Sequence, residues 1–122
     1  MYKVEILEST HDLSARDRLK LKDTTNAVKL DAALTGDEPI IITPIDYAVL
    51  QIFSDKVEEP YNNYVVCDES GQKFITGSKS FWQSFIDIWH EMVEETGSYQ
   101  IEIYKVESKN YAGKHFITCS IL

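Results

Sequence analysis

The chain has 122 residues, 43% of them hydrophobic and 26% charged, with a formal net charge of −8 at pH 7. That length fits one domain with a modest core of its own, and the acidity argues against an unspecialised nucleic-acid binder. No apolar run approaches the ~18 residues of a membrane span, and "MYKVEILEST" lacks the basic start and apolar stretch of a signal peptide, so a soluble, cytoplasmic protein is expected.

In chain order, "YKVEIL" alternates and reads as a short edge strand. In "LSARDRLKLKDTTNAVKLDAAL", Ser14 is a candidate helix N-cap. Thr24 or Thr25 is a second, with Ala27, Leu30, Ala33 and Leu34 inward, although "RLKLK" also alternates as a strand does. Gly36 closes this N-terminal arm. "PIIITPIDYAVLQIF" is rich in β-branched and aromatic residues and reads as a long strand kinked or bulged near Thr43-Pro44. "SDKVEEPYNN" is a polar loop, and "YVVCDESGQKFIT" a hairpin turning at Asp68-Glu69-Ser70-Gly71. "SKSFWQSFIDIWHEMVEETG" is the clearest helix, with Phe81, Phe85, Ile88, Trp89 and Met92 at three- and four-residue spacing, Ser78 or Ser80 as cap and Gly97 as stop. "YQIEIYKV" and "HFITCSIL" form a last hairpin.

From residue 39 the order is three strands, a helix and two strands. That is the order of an OB-fold barrel. The expected architecture is therefore one mainly β domain: an arm over residues 1–36, then an OB-fold-like five-stranded barrel over 37–122 with its helix between strands three and four. Cys67 and Cys119 lie in strand-like runs and read as reduced core residues.

Charge is unevenly spread. Residues 35–98 hold twelve acids against three lysines, while residues 1–34 balance and residues 99–122 carry +1. The tip of the last hairpin, "ESKNYAGKHF", sets Tyr111 between Lys109 and Lys114, although a turn needs only Asn110 and Gly113 for positive φ. In an OB barrel this loop flanks the oligonucleotide groove, and non-specific single-strand binders combine cations with rings on which bases stack. Lys56 and Tyr61 in the first loop, with Tyr64 entering the next strand, supply the groove's other half. The bland alternative folds Tyr111 back over the barrel rim. Parity sets Ile101 and Ile103 on one face of the fourth strand and Tyr104 on the other; Tyr104 and Phe116 either face outward or are covered by the N-terminal segment. Trp82, Phe85 and Trp89 read as helix core, and Arg16, Arg18, Lys20 and Lys22 as a solvated face.

Enzyme readings find little support. "HEMVEE" lacks the second histidine of a zinc-protease helix, and there is no phosphate loop or nucleophile elbow. His11, His90 and His115 fall in separate elements. A non-enzyme without metal or cofactor is expected.

The stretch from Ile40 through "DESGQKFITGSK" to the helix, followed by "QIEIYKVESKNYAGKHFITCSIL", resembles the small single-stranded DNA-binding proteins of phages, especially protein-primed Bacillus phages. The resemblance covers residues 39–122 and implies coating of single strands during replication or recombination with little sequence preference. It makes Phe74 a stacking ring beside Lys73. Leu50 stands where a member of that family has a tyrosine, and the arm has no counterpart there. The expected contacts are Lys73, Lys105, Lys109 and Lys114 to phosphate and Tyr111, Phe74 and Tyr64 to bases, with Phe116 and Tyr104 behind them. The expected partners are single-stranded DNA and replication proteins, with no membrane. The rival is an acidic protein-binding module or DNA mimic, for which Asp55, Glu58 and Glu59 in the first loop speak. Glu91, Glu94 and Glu95 on the helix speak for the binder.

Overall fold

The computed structural model describes residues 2–10, 14–36, 38–95, 97–107 and 114–122. Its elements are β1 (Tyr2–Ser9), α1 (Ala15–Lys22), β2 (Val28–Lys29), α2 (Leu30–Ala33), β3 (Ile40–Ile42), β4 (Pro44–Ser54), β5 (Tyr61–Asp68), β6 (Lys73–Thr76), α3 (Lys79–Met92), β7 (Ile101–Glu107) and β8 (His115–Ile121). The fold is mainly β, as the alternation predicted. The chain forms two compact units, Met1–Lys29 with Ile45–Gly77 and Leu30–Pro44 with Ser78–Leu122. The arm's first 29 residues thus fold with the strands of the middle segment.

The first unit is a five-stranded sheet in the order β1-β4-β5-β6-β2. β4 is buried on both faces, Tyr47 and Val49 on one and Ala48, Leu50 and Ile52 on the other, which is why its sequence is almost continuously apolar. β1 runs antiparallel along β4 from Tyr2↔Ser54 to Ser9↔Ala48, with an irregularity between Ile6 and Glu8. β2 joins β6 in parallel, Val28 opposite Phe74. The β5–β6 turn is the one the sequence marked. Gly71 takes φ +91°, its N–H donates to Asp68 O at 2.9 Å, and the Asp68 carboxylate accepts from the Ser70 N–H at 2.6 Å. α1 covers one face: Leu21 is buried with Ala48, Leu50, Ile52 and Val65, and Val4, Ile6, Cys67 and Ile75 pack around them. Its cap is Ser14, whose Oγ accepts from the Asp17 N–H at 3.2 Å. Of the alternatives for "RLKLK", the helix holds.

The second unit is a three-stranded sheet, β3-β7-β8. Ile40 and Ile42 pair with Ile103 and Ile101, and alternation buries Ile101, Ile103, Ile117 and Cys119. Ser78 caps α3 by accepting from the Phe81 N–H at 3.2 Å. Phe81 and Phe85 are fully buried, and the Phe85 ring is the hub of the helix, 5.9 Å from Phe81, 5.6 Å from Trp82 and 6.0 Å from Trp89. Ser80 Oγ donates to Ile117 O, and Ser84 Oγ meets Thr118 Oγ1, each at 2.8 Å, so α3 guards the β8 edge.

Three expectations need correction. The long strand does break at the proline, since β3 and β4 are separated by Thr43 and Pro44 has no N–H for a ladder. The described strands nevertheless form two sheets and no closed five-stranded barrel. The first sheet ends in β1 and β2, both from the arm, which occupy edges a closing strand would need. The helix placement differs as well: α3 follows the sixth strand and lies along β8 of the three-stranded sheet. Thr25 does not cap a helix; its N–H and hydroxyl donate to the Asp23 carboxylate at 3.1 and 2.7 Å, and α2 is a single turn with Leu30 buried.

Candidate functional site

Of the groove residues read from the sequence, Lys109 and Tyr111 lie outside the described residues. In the first unit Lys56 is exposed in the β4–β5 loop, and Tyr61, 44% exposed, opens β5. Tyr64 and Phe74 are only 6% and 8% exposed. The pairs Tyr64↔Thr76 and Val66↔Phe74 put both rings on the face opposite α1, inside the core, so neither offers a stacking surface. Lys73 is also committed elsewhere. Its Nζ donates to the carbonyls of Lys20 and, at 2.9 Å, Asp23, closing the C-terminal end of α1 where a cation is favoured. Leu50 is fully buried in the cluster that α1 covers.

The second unit brings four predicted residues to one end of the β7–β8 pair. Tyr104 stands opposite Thr118, Lys105 opposite Ile117 and Val106 opposite Phe116, with Lys114 just before β8. Phe116 is 40% exposed. The Tyr104 hydroxyl bonds Ser120 Oγ at 2.6 Å, and Lys105 Nζ donates to Asp31 O at 3.3 Å. β3 pairs with β7 only as far as Ile103, so beyond it a groove of about 850 Å³ opens between β7 and residues 34–36. Tyr104, Lys105, His115, Glu102 and Glu107 line it. Sequence reasoning missed Glu102, Glu107 and His115 as members. For Glu107, and for His115 opposite it, the alternation of "IEIYKVE" carries the signal, because it continues the buried face of Ile101 and Ile103 into Lys105 and Glu107; Glu102 lies on the other face with Tyr104.

One lysine and one histidine face two carboxylates, beside a phenol ring and an apolar rim. Burial pushes the Cys119 thiol up to about 12 and raises that of Cys67, with Asp46 adding to the latter, so both stay protonated and poorly nucleophilic at neutral pH. Burial also pushes Tyr99 up to about 12, and its buried hydroxyl has no hydrogen-bond partner among the described residues. Among these residues no group of three or more His, Cys, Asp or Glu could hold a metal ion, and no helix is long and apolar enough to cross a membrane.

Comparison with family models, with curated proteins and with solved structures found no match.

Proposed function

We propose that the chain binds single-stranded DNA with little sequence preference, through the β7–β8 pair and the groove beside it. The observation that carries this reading is the gathering of Tyr104, Lys105, Lys114, His115 and the exposed Phe116 at one end of that pair. Rings there can stack on bases, and cations can meet phosphate. Lys109 and Tyr111 continue the same stretch of chain and belong to the same reading. Glu102 and Glu107 lower the local field, so stacking carries much of the affinity; binding weakens with salt through counterion release, with the single-strand slope of about −0.7 per contacted phosphate.

The same reading gives the strands an OB-type order. β3 and β4, parted only by Thr43, read as two halves of one bent strand; the first half pairs with β7 and the second neighbours β5. Along the chain the strands β4, β5, β6, β7 and β8 then follow the OB order, with α3 packed on β8 instead. The role that follows is protection of single strands in phage replication or recombination, alongside replication proteins.

Fluorescence anisotropy tests the proposal. A labelled oligo-dT is titrated against a duplex of equal length at about 50 and about 200 mM salt. Binding to the single strand alone is expected, and Phe116→Ala should weaken it roughly fivefold or more while Lys56→Ala changes little. Absence of binding at the lower salt, or equal binding to the duplex, would defeat the reading.

A further inference from the structure

β1 ends the five-stranded sheet, and among the described residues no strand covers its outer edge. It is an eight-residue strand without proline. Proteins that stay apart usually blunt such an edge with proline, charge or brevity; β1 carries Lys3 and Glu5, but these two neutralise each other. The opposite edge of the same sheet, β2, is two residues long and needs no such device. Alternation gives β1 two distinct faces. Tyr2, Val4 and Ile6 lie on one, where Val4 and Ile6 are half-buried against the core cluster and Tyr2 is 66% exposed. Lys3 and Glu5 lie on the other, joined by a 2.7 Å ion pair, with the Lys3 ammonium 5.8 Å from the centre of the Phe53 ring.

We propose that this edge is the interface between two copies of the chain, their β1 strands pairing antiparallel about a twofold axis through Val4. In that register the partners' residue numbers sum to eight. Val4 meets Val4 of the second copy, Tyr2 meets Ile6 twice, and Lys3 meets Glu5 twice. Every cross-strand pair is then apolar with apolar or opposite in charge, the combinations that stabilise a ladder. Neighbouring registers lack this property. A sum of nine sets Lys3 against Ile6 and Val4 against Glu5, and turns the apolar face of one copy to the polar face of the other. A sum of ten sets Glu5 against Glu5. A sum of eleven carries the pairing into the irregularity between Ile6 and Glu8. The chosen register makes one continuous sheet of the two five-stranded sheets and lets the two Tyr2–Val4–Ile6 faces run together. Because the contact is the same patch on both copies, it closes at the dimer. The interface lies in the first unit and the proposed nucleic-acid groove in the second, so either can fail without the other.

The test is sedimentation equilibrium of the full chain over a wide concentration range, combined with a charge swap. The expected species is a dimer, twice the 14.0 kDa chain mass. Lys3→Glu or Glu5→Lys alone sets like charges opposite each other at two symmetric positions, and each should raise the dimer dissociation constant roughly tenfold or more. The double variant Lys3→Glu/Glu5→Lys restores both pairs and should recover the dimer. Thermal unfolding of the dilute variants should match the parent chain, since both side chains are largely exposed. For the register, mild oxidation should link Val4→Cys into a covalent dimer far faster than Tyr2→Cys, because only residue 4 meets itself. A parent chain monomeric throughout, single variants that dimerise as the parent does, or a double variant that stays monomeric would each overturn the proposal. So would masses growing beyond the dimer, or a Tyr2→Cys chain that links as readily as Val4→Cys.

Discussion

α1 and α3 each lie against a sheet, one in each unit, and opposite means hold them. α3 is fastened by its middle: Phe81 and Phe85 are fully buried, and the Phe85 ring touches three neighbouring rings. α1 is fastened by its ends. It buries only Leu21, while Ser14 satisfies its first amides and Lys73 reaches up from β6 to its last carbonyls. Its remaining surface is charged, apart from Ala15 and the exposed Leu19. A helix held by packing opens only when its core opens; one held by caps and a single leucine can open by itself. In α1's case that would bare the apolar face of Ala48, Leu50 and Ile52.

Four variants sharpen or break this contrast. Phe85→Ala should cost about 3–5 kcal/mol in chemical denaturation, because it empties the hub of α3; a loss below about 1 kcal/mol would place α3 outside the core. Leu21→Ala should cost about 2 kcal/mol. Its amide hydrogen exchange should accelerate across Ala15–Lys22 and leave β4 unchanged; uniform acceleration would mean α1 and its sheet open as one. Lys73→Met should cost about 1 kcal/mol by unpairing the last carbonyls of α1, with exchange in the β5–β6 turn unaltered. Tyr99→Phe should be the smallest change and of opposite sign, a gain of up to about 1 kcal/mol, because it deletes a buried hydroxyl with no hydrogen-bond partner among the described residues.

Tyr99 and Cys119 also set the alkaline limit. Their folded-state values, about 12 against ordinary values of 10.0 and 9.0, lie above those of the unfolded chain. The folded state therefore holds protons that the unfolded state gives up. Their stabilising contribution is complete below about pH 9 and is lost as pH rises towards 12. Tyr99→Phe should flatten the part of that loss above pH 10, as a series of melting curves would show.

Local signals carried the elements. The period-two runs gave β1, β7 and β8, the three-four spacing gave α3, and Ser14, Ser78 and Gly71 marked two caps and a turn. What stayed hidden was which strands neighbour which, because alternation sorts side chains into faces without saying what covers a face. Tyr64 and Phe74 show the consequence. A ring on a strand buried on both sides reads the same as one on an open sheet, so two rings whose pattern also fits stacking platforms belong to the core. Lys73 shows another limit. Its partners are backbone carbonyls some fifty residues away in sequence, and carbonyls leave no mark in the residue pattern. The barrel failed to close for a related reason: "YKVEIL" announced an edge strand but not whose edge it would take. At the β7–β8 pair, by contrast, parity from "IEIYKV" and "HFITCSIL" was enough to set Tyr104 apart from Ile101 and Ile103.

Both tryptophans of the chain, Trp82 and Trp89, sit on α3. Indole emission is therefore a private signal of the second unit, whereas far-ultraviolet circular dichroism averages over both. Recorded on one sample, the two spectroscopies reveal how the halves of the molecule melt. Superimposable curves would describe a single cooperative transition, and separated ones would give each unit its own midpoint.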